Sequence, residues 1–228
     1  NAYFGYSVSS AGDVNRDGFD DIIIGAWGKN TVYVVYGGPK SSMSNLDFSL
    51  STTILDPATR GFTITAGGVN FGFVVNKAGD LNKDGYDDIL IGDFGVNSGQ
   101  GVVYAIYGKG KSSTSNINLG TTTLDPATTG FTITGNLAGD HFGYTLSVGD
   151  VNKDGYVDIL VGASIAASNK GTVSVIYGRE KSLLSNIALN SQTLDPATTG
   201  FTITGSAAGE YIVGRLGTMG GTNKDGYD

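Results

Sequence analysis

The sequence predicts an all-β chain assembled from repeated four-stranded units, the architecture of a β-propeller. Three observations lead there. The segment LDPATRGFTIT at residues 55–65 returns as LDPATTGFTIT at 124–134 and 194–204, at intervals of 69 and 70 residues. A second block keeps step with the first: GDVNRDGFDD at 12–21, GDLNKDGYDD at 79–88 and GDVNKDGYVD at 149–158, with a worn copy, GGTNKDGYD, at 220–228. Between the blocks lie apolar and β-branched runs of four to seven residues bounded by Gly or Asn, with no competing helical period.

In the first unit the strands fall at 4–9, 21–26 (DIIIGA), 31–36 (TVYVVY) and 61–65, where Phe62 and Ile64 alternate with threonines as a half-buried strand requires. The second unit repeats them at 89–91, 102–107 and 131–134, and the third at 159–161, 173–177 and 201–204. One long connection per unit, such as 37–60, is rich in Ser, Thr and Asn and carries an Asp-Pro-Ala-Thr turn. The expected division is 1–69, 70–138 and 139–208 as three blades, with 209–228 as the first strand and loop of a degenerate fourth, all within one incomplete propeller domain.

Composition agrees. The 228 residues include 37 Gly, 12 Tyr and 10 Phe but 4 Pro and no Cys, so turns are abundant and disulfides impossible. A hydrophobic fraction of 39% and a mean hydropathy of −0.01 supply enough apolar mass for a core, which argues against disorder. No apolar run approaches the ~20 residues of a membrane-spanning helix, so direct membrane insertion is not expected. A net charge of −7 leaves no basic stripe for nucleic acid. The chain begins with Asn1, as a processed chain or a piece of a longer one would.

The chemistry is concentrated in the second block, whose spacing is Asp-x-Asn-x-Asp-Gly-(Phe/Tyr)-x-Asp. The candidate ligands are Asp13, Asn15, Asp17, the Phe19 carbonyl and Asp21; Asp80, Asn82, Asp84, the Tyr86 carbonyl and Asp88; and Asp150, Asn152, Asp154, the Tyr156 carbonyl and Asp158. Alternate positions aim oxygens at one point, the glycine at position six permits a sharp reversal, and the ninth residue closes the shell. An all-oxygen set without His, Cys or Met favours Ca²⁺, with about three sites expected. An EF-hand would need a Glu at position twelve and flanking helices, yet that position holds Ile24, Ile91 and Val161, and each loop runs straight into an apolar strand. The competing reading is that Asp, Asn and Gly merely fill hairpin turns. Against it, 13 of the 21 acidic residues crowd into the four loops, a repulsion that costs stability without a cation. Three Ca²⁺ would bring the formal charge to about −1 from −7. The fourth loop has Gly221 where the first aspartate belongs.

With these residues in view, the chain resembles the FG-GAP repeats of the integrin alpha-subunit N-terminal β-propeller. Phe4-Gly5 precedes Gly25-Ala26, Phe71-Gly72 precedes Gly92-Asp93, and Phe142-Gly143 precedes Gly162-Ala163, each pair flanking one cation loop. The resemblance covers essentially the whole chain. Trp27, Phe94 and Ser164 replace the motif's proline, and Val213-Gly214 replaces Phe-Gly in the last copy. The resemblance implies blades closing into a ring, commonly of seven, Ca²⁺ stiffening loops on one face, and ligands meeting the other face. Three blades do not close such a ring, so further blades are expected from additional sequence or from another copy.

Other residues invite weaker readings. His141, the sole histidine, is expected to be a solvated loop residue rather than a general base. Tyr33, Tyr36, Tyr104, Tyr107 and Tyr177 fit blade packing better than a carbohydrate platform, and Lys40, Lys111 and Lys181 are expected to solvate a loop. No nucleophile elbow or phosphate loop is present, so no enzymatic activity is expected. The expected function is a Ca²⁺-binding extracellular or cell-surface module for adhesion or macromolecular recognition of a protein or glycan ligand. Two alternatives are a structural subunit of a filament or surface coat, self-associating through its blades, and a non-catalytic accessory domain of a larger secreted enzyme.

Overall fold

The computed structural model describes residues 2–48 and 55–209. Beyond Gly209, the degenerate fourth unit, with Val213, Gly221, Asn223 and Asp225, lies outside them. In chain order the strands are β1 (Phe4–Gly12), β2 (Asp21–Ala26), β3 (Thr31–Val35), β4 (Gly61–Thr65), β5 (Val74–Gly79), β6 (Asp88–Asp93), β7 (Val102–Ile106), β8 (Ile117–Asn118), β9 (Gly130–Thr134), β10 (Phe142–Gly149), β11 (Asp158–Ala163), β12 (Thr172–Ile176), β13 (Ile187–Ala188) and β14 (Gly200–Thr204). They form three sheets. Each is an antiparallel meander of four strands, β1-β2-β3-β4, β5-β6-β7-β9 and β10-β11-β12-β14, as expected of propeller blades.

The central blade explains why its second strand reads as an unbroken apolar run. Every residue of β6 is buried, because Ile89 and Ile91 pack toward the first blade while Leu90 packs toward the third. In the first blade the same strand alternates: Ile23 is buried and Ile22 is 42% exposed, one face having no described neighbour. Adjacent blades come into close backbone contact at the motif glycines. A Cβ at Gly25 would stand 2.0 Å from the Gly72 carbonyl oxygen, and one at Gly92 would stand 2.3 Å from that of Gly143. The Phe-Gly pair of one blade therefore meets the second-strand glycine of the blade before it, backbone against backbone.

The sequence reading did not anticipate β8 and β13. Both come from long connections, and each pairs in parallel with the outer strand of the preceding blade: β8 with β4 and β13 with β9. The Asn before each strand reaches across as well. Asn116 Oδ1 accepts from the Thr63 N–H and Asn186 Oδ1 from the Thr132 N–H, both at 2.9 Å. Each connection thus latches one blade to the previous one and covers an edge strand. Among the described residues β14 has no such partner, and its Ile203 is 51% exposed where the matching Ile64 and Ile133 are fully buried.

Candidate metal centre

The three aspartate loops join the first strand of each blade to the second, at one end of the strands: β1 to β2, β5 to β6 and β10 to β11. Their backbones superimpose in type. The fourth position is left-handed in all three, at φ 58° for Arg16 and 57° for Lys83 and Lys153, and the glycine that follows two residues later lies at φ 84–89°. The first aspartate ties this turn together. Asp13 accepts from the Asp17 and Gly18 N–H groups at 2.9 and 2.8 Å, Asp80 from Asp84 and Gly85, and Asp150 from Asp154 and Gly155. The position-five carboxylate accepts from the N–H two residues on, Asp17 from Phe19, Asp84 from Tyr86 and Asp154 from Tyr156.

The ninth position is the most constrained. Asp21, Asp88 and Asp158 are at most 1% exposed. Each spans two elements: one oxygen accepts from the loop start (Val14, Leu81, Val151) and the other from the residue just after the third strand (Gly37, Gly108, Gly178), at 2.8–3.0 Å. Burial pushes the Asp21 carboxyl up to about 7 and that of Asp88 to about 8. The two backbone donors oppose this, while the charges of Asp17 and Asp13, or Asp84 and Asp80, add to it. Asp158 is raised for the same reasons.

The donor set fits a hard cation. The Asp88 and Asp158 oxygens each use one lone pair on the backbone and keep another free, whereas both Asp21 oxygens also accept from Asn15 Nδ2. The buried Asn15 Oδ1 has no hydrogen-bond partner, while its Nδ2 donates to Asp21 Oδ2 at 3.2 Å. Asn82 differs, with Oδ1 accepting from Asp84 N–H and Nδ2 left unpaired; Asn152 Oδ1 accepts likewise from Asp154. The side chains are brought to each loop but are not drawn into a closed cage. Among the described residues no three Asp, Glu, His or Cys groups converge as a finished metal site.

Two expectations need correction. Lys111 and Lys181 do not simply solvate a loop: Lys111 Nζ lies 2.7 Å from Asp17 Oδ2 and Lys181 Nζ 3.8 Å from Asp84 Oδ2, each reaching back to the preceding blade. They also lie over Tyr36 and Tyr107, at 5.0 and 5.9 Å from the ring centres. His141 is no freely solvated residue either. It is half-buried at φ 59°, its ring 5.1 Å from Phe94 and its N–H donated to the Gly99 carbonyl. The lacing continues through the loops themselves, with Arg16 over Tyr86 and Lys83 over Tyr156. The tyrosines behave as packing residues: Tyr36 and Tyr107 are buried, and Tyr107 and Tyr177 donate to the Pro126 and Pro196 carbonyls.

Comparison with known proteins agrees with this geometry. The FG-GAP repeat family profile matches residues 4–35 and 142–176, the first three strands of the first and third blades. Integrin alpha-8 of Mus musculus is 33% identical over 185 residues, covering 78% of this chain and 16% of its own length. Integrin alpha-4 of Xenopus laevis is 28% identical over 181 residues, covering 73% and 15%. Phosphatidylinositol-glycan-specific phospholipase D of Homo sapiens is 30% identical over 197 residues, covering 77% and 21%. The chain therefore spans about a sixth of the length of the integrin relatives it matches. Blades, motif glycines, loops and relatives together identify an integrin alpha-like FG-GAP repeat protein.

Proposed function

We propose that this chain is a Ca²⁺-binding β-propeller module of an extracellular or cell-surface protein, acting in adhesion or macromolecular recognition. The observation that carries the reading is the threefold recurrence of a buried ninth-position aspartate beside two more carboxylates, in loops of matching backbone. A divalent cation supplies positive charge beyond that which Lys111 and Lys181 bring to Asp17 and Asp84, drawing in the first, third, fifth and ninth side chains and the seventh carbonyl. Those loops join strands that carry the blade cores, so the ion acts as a stiffener of the scaffold. Extracellular modules bind Ca²⁺ at about 10⁻⁴ to 10⁻³ M, so at roughly 1 mM free ion each site contributes about 0.4–1.4 kcal/mol. At sub-micromolar concentrations such sites would be empty, which favours an extracellular setting.

The recognition role rests on similarity to integrin alpha subunits, because the fold alone does not specify a ligand. The test is to display the full-length protein on beads and measure capture of extracellular-matrix proteins and glycans with Ca²⁺ and after chelation. Ca²⁺-dependent, saturable capture supports the reading; capture of none, with the metal sites filled, refutes the recognition role. A second reading, an accessory domain in a larger secreted enzyme, is favoured by the similarity to the human phospholipase D. Catalytic activity in the full-length protein that survives removal of the propeller would favour it.

A further inference from the structure

The third blade departs from the other two at one position of its third strand. Tyr33 pairs with Thr63 and Tyr104 with Thr132, whereas Ser174 holds that register opposite Thr202. In the second blade the Tyr104 ring fills the space beside Phe71, edge-on at 5.5 Å, and the buried Asp93 closes the end of the neighbouring strand. In the third blade Phe142 takes the place of Phe71, but Ser174 and Ala163 take the places of the tyrosine and the aspartate. The missing side chains leave a cleft of about 390 Å³. It opens on the face of the blade turned toward the second blade, since Val161 and Ala163 share a core with Val103 and Ala105.

The lining specifies a ligand class. Ser174, Thr202 and Thr204 contribute hydroxyls, Gln192 an amide and Asp140 a carboxylate, against the apolar wall of Phe142. No Lys, Arg or His lines the cleft, so an anionic ligand would find no counter-charge. Hydroxyl groups that both donate and accept, an Asp140 carboxylate that accepts from the Leu137 N–H at 3.2 Å and keeps further lone pairs for hydroxyl donors, and an apolar wall of Phe142, Leu189 and Leu194 suit a polyhydroxylated ring. The volume falls in the range of small-ligand sites. We propose that this cleft binds a single neutral sugar residue. It sits at the strand ends opposite the aspartate loops, near Ala163 rather than Asp158 of β11, and stands independently of the Ca²⁺ reading.

The test uses the full chain in Ca²⁺-containing buffer and saturation-transfer NMR with glucose, galactose, mannose and N-acetylglucosamine, each free and as its methyl glycoside. At least one is expected to bind. Ser174→Tyr restores the side chain of the other blades, and should weaken that binding about tenfold or more while the blade remains folded. Asp140→Asn keeps the shape, serves if the tyrosine perturbs folding, and should weaken binding about tenfold through loss of the charged acceptor. Binding of both free sugar and glycoside identifies a glycan-terminal residue as the natural source, and binding of the free sugar alone a soluble one. Absence of binding by all four sugars, or equal binding by both variants, overturns the proposal.

Discussion

Replacing Gly92 by Ala adds one methyl group at a close backbone contact between two blades. The new Cβ would lie 2.3 Å from the Gly143 carbonyl oxygen and 2.5 Å from Val74 Cγ1, where ordinary contact begins at 3.4 Å. The first neighbour is backbone of the next blade and has no rotamer to change, so the seam itself must open by about 1 Å. Overpacking of this kind costs about 1–3 kcal/mol, and a rigid neighbour places the cost at the upper end. The lost glycine entropy of the unfolded chain returns about 0.4–1 kcal/mol. The net expectation is a loss of about 1–2 kcal/mol, or a Tm lower by about 2–8 °C for a chain of this size. Strain plays no part, since Gly92 is not among the positive-φ glycines. Gly67 provides the control: it too lacks a positive φ, and an added Cβ meets nothing within 4 Å, so Gly67→Ala should be neutral or slightly stabilising. Thermal and urea unfolding in millimolar Ca²⁺ would measure both variants. A Gly92→Ala protein as stable as the Gly67→Ala protein would refute the seam as a close backbone contact.

Three further outcomes follow from the loops and latches. Asp21 and Asp88 have folded-state pKa values raised to about 7 and about 8 from 3.8, so between these limits the metal-free folded state holds more protons than the unfolded chain. Metal-free stability should therefore fall as pH rises from about 5 to about 8, and Ca²⁺, which needs the ionised groups, should flatten or reverse the slope; Tm against pH with and without metal tests both signs. Asp88→Asn keeps one acceptor but turns an amide donor toward the Leu81 or Gly108 N–H, so metal-free stability should fall by about 1–3 kcal/mol, while Ca²⁺ stoichiometry falls by one in calorimetric titration. Asn116→Ala removes the acceptor of the Thr63 N–H and should cost about 1 kcal/mol by urea unfolding, with faster amide exchange at Thr63.

Strand order and blade count were legible because each strand sits between two recurring blocks. The run DIIIGA and its counterparts also carry enough β-branched residues to mark a central strand. The latching strands were not legible. Ile117–Asn118 and Ile187–Ala188 are two residues long, too short for alternation, and their partners lie in the preceding unit. Lys111 and Lys181 recur visibly, yet their partners Asp17 and Asp84 stand one blade earlier, a separation that only folding closes. At the candidate site the nine-residue spacing brought out the candidate oxygen ligands. What spacing could not convey is that Asp21, Asp88 and Asp158 also accept from Gly37, Gly108 and Gly178, which ties each loop to the third strand of its blade. The Ser174 cleft was recoverable in principle, by aligning the third strands and noting a serine beneath two tyrosines.

The most direct measurement is Ca²⁺ stoichiometry by native mass spectrometry, paired with unfolding in Ca²⁺ and after chelation. The account predicts about three ions per chain at millimolar Ca²⁺, and a midpoint that rises as they bind. A chain that binds none, and unfolds identically with and without chelator, would contradict the assignment of the aspartate loops to a cation.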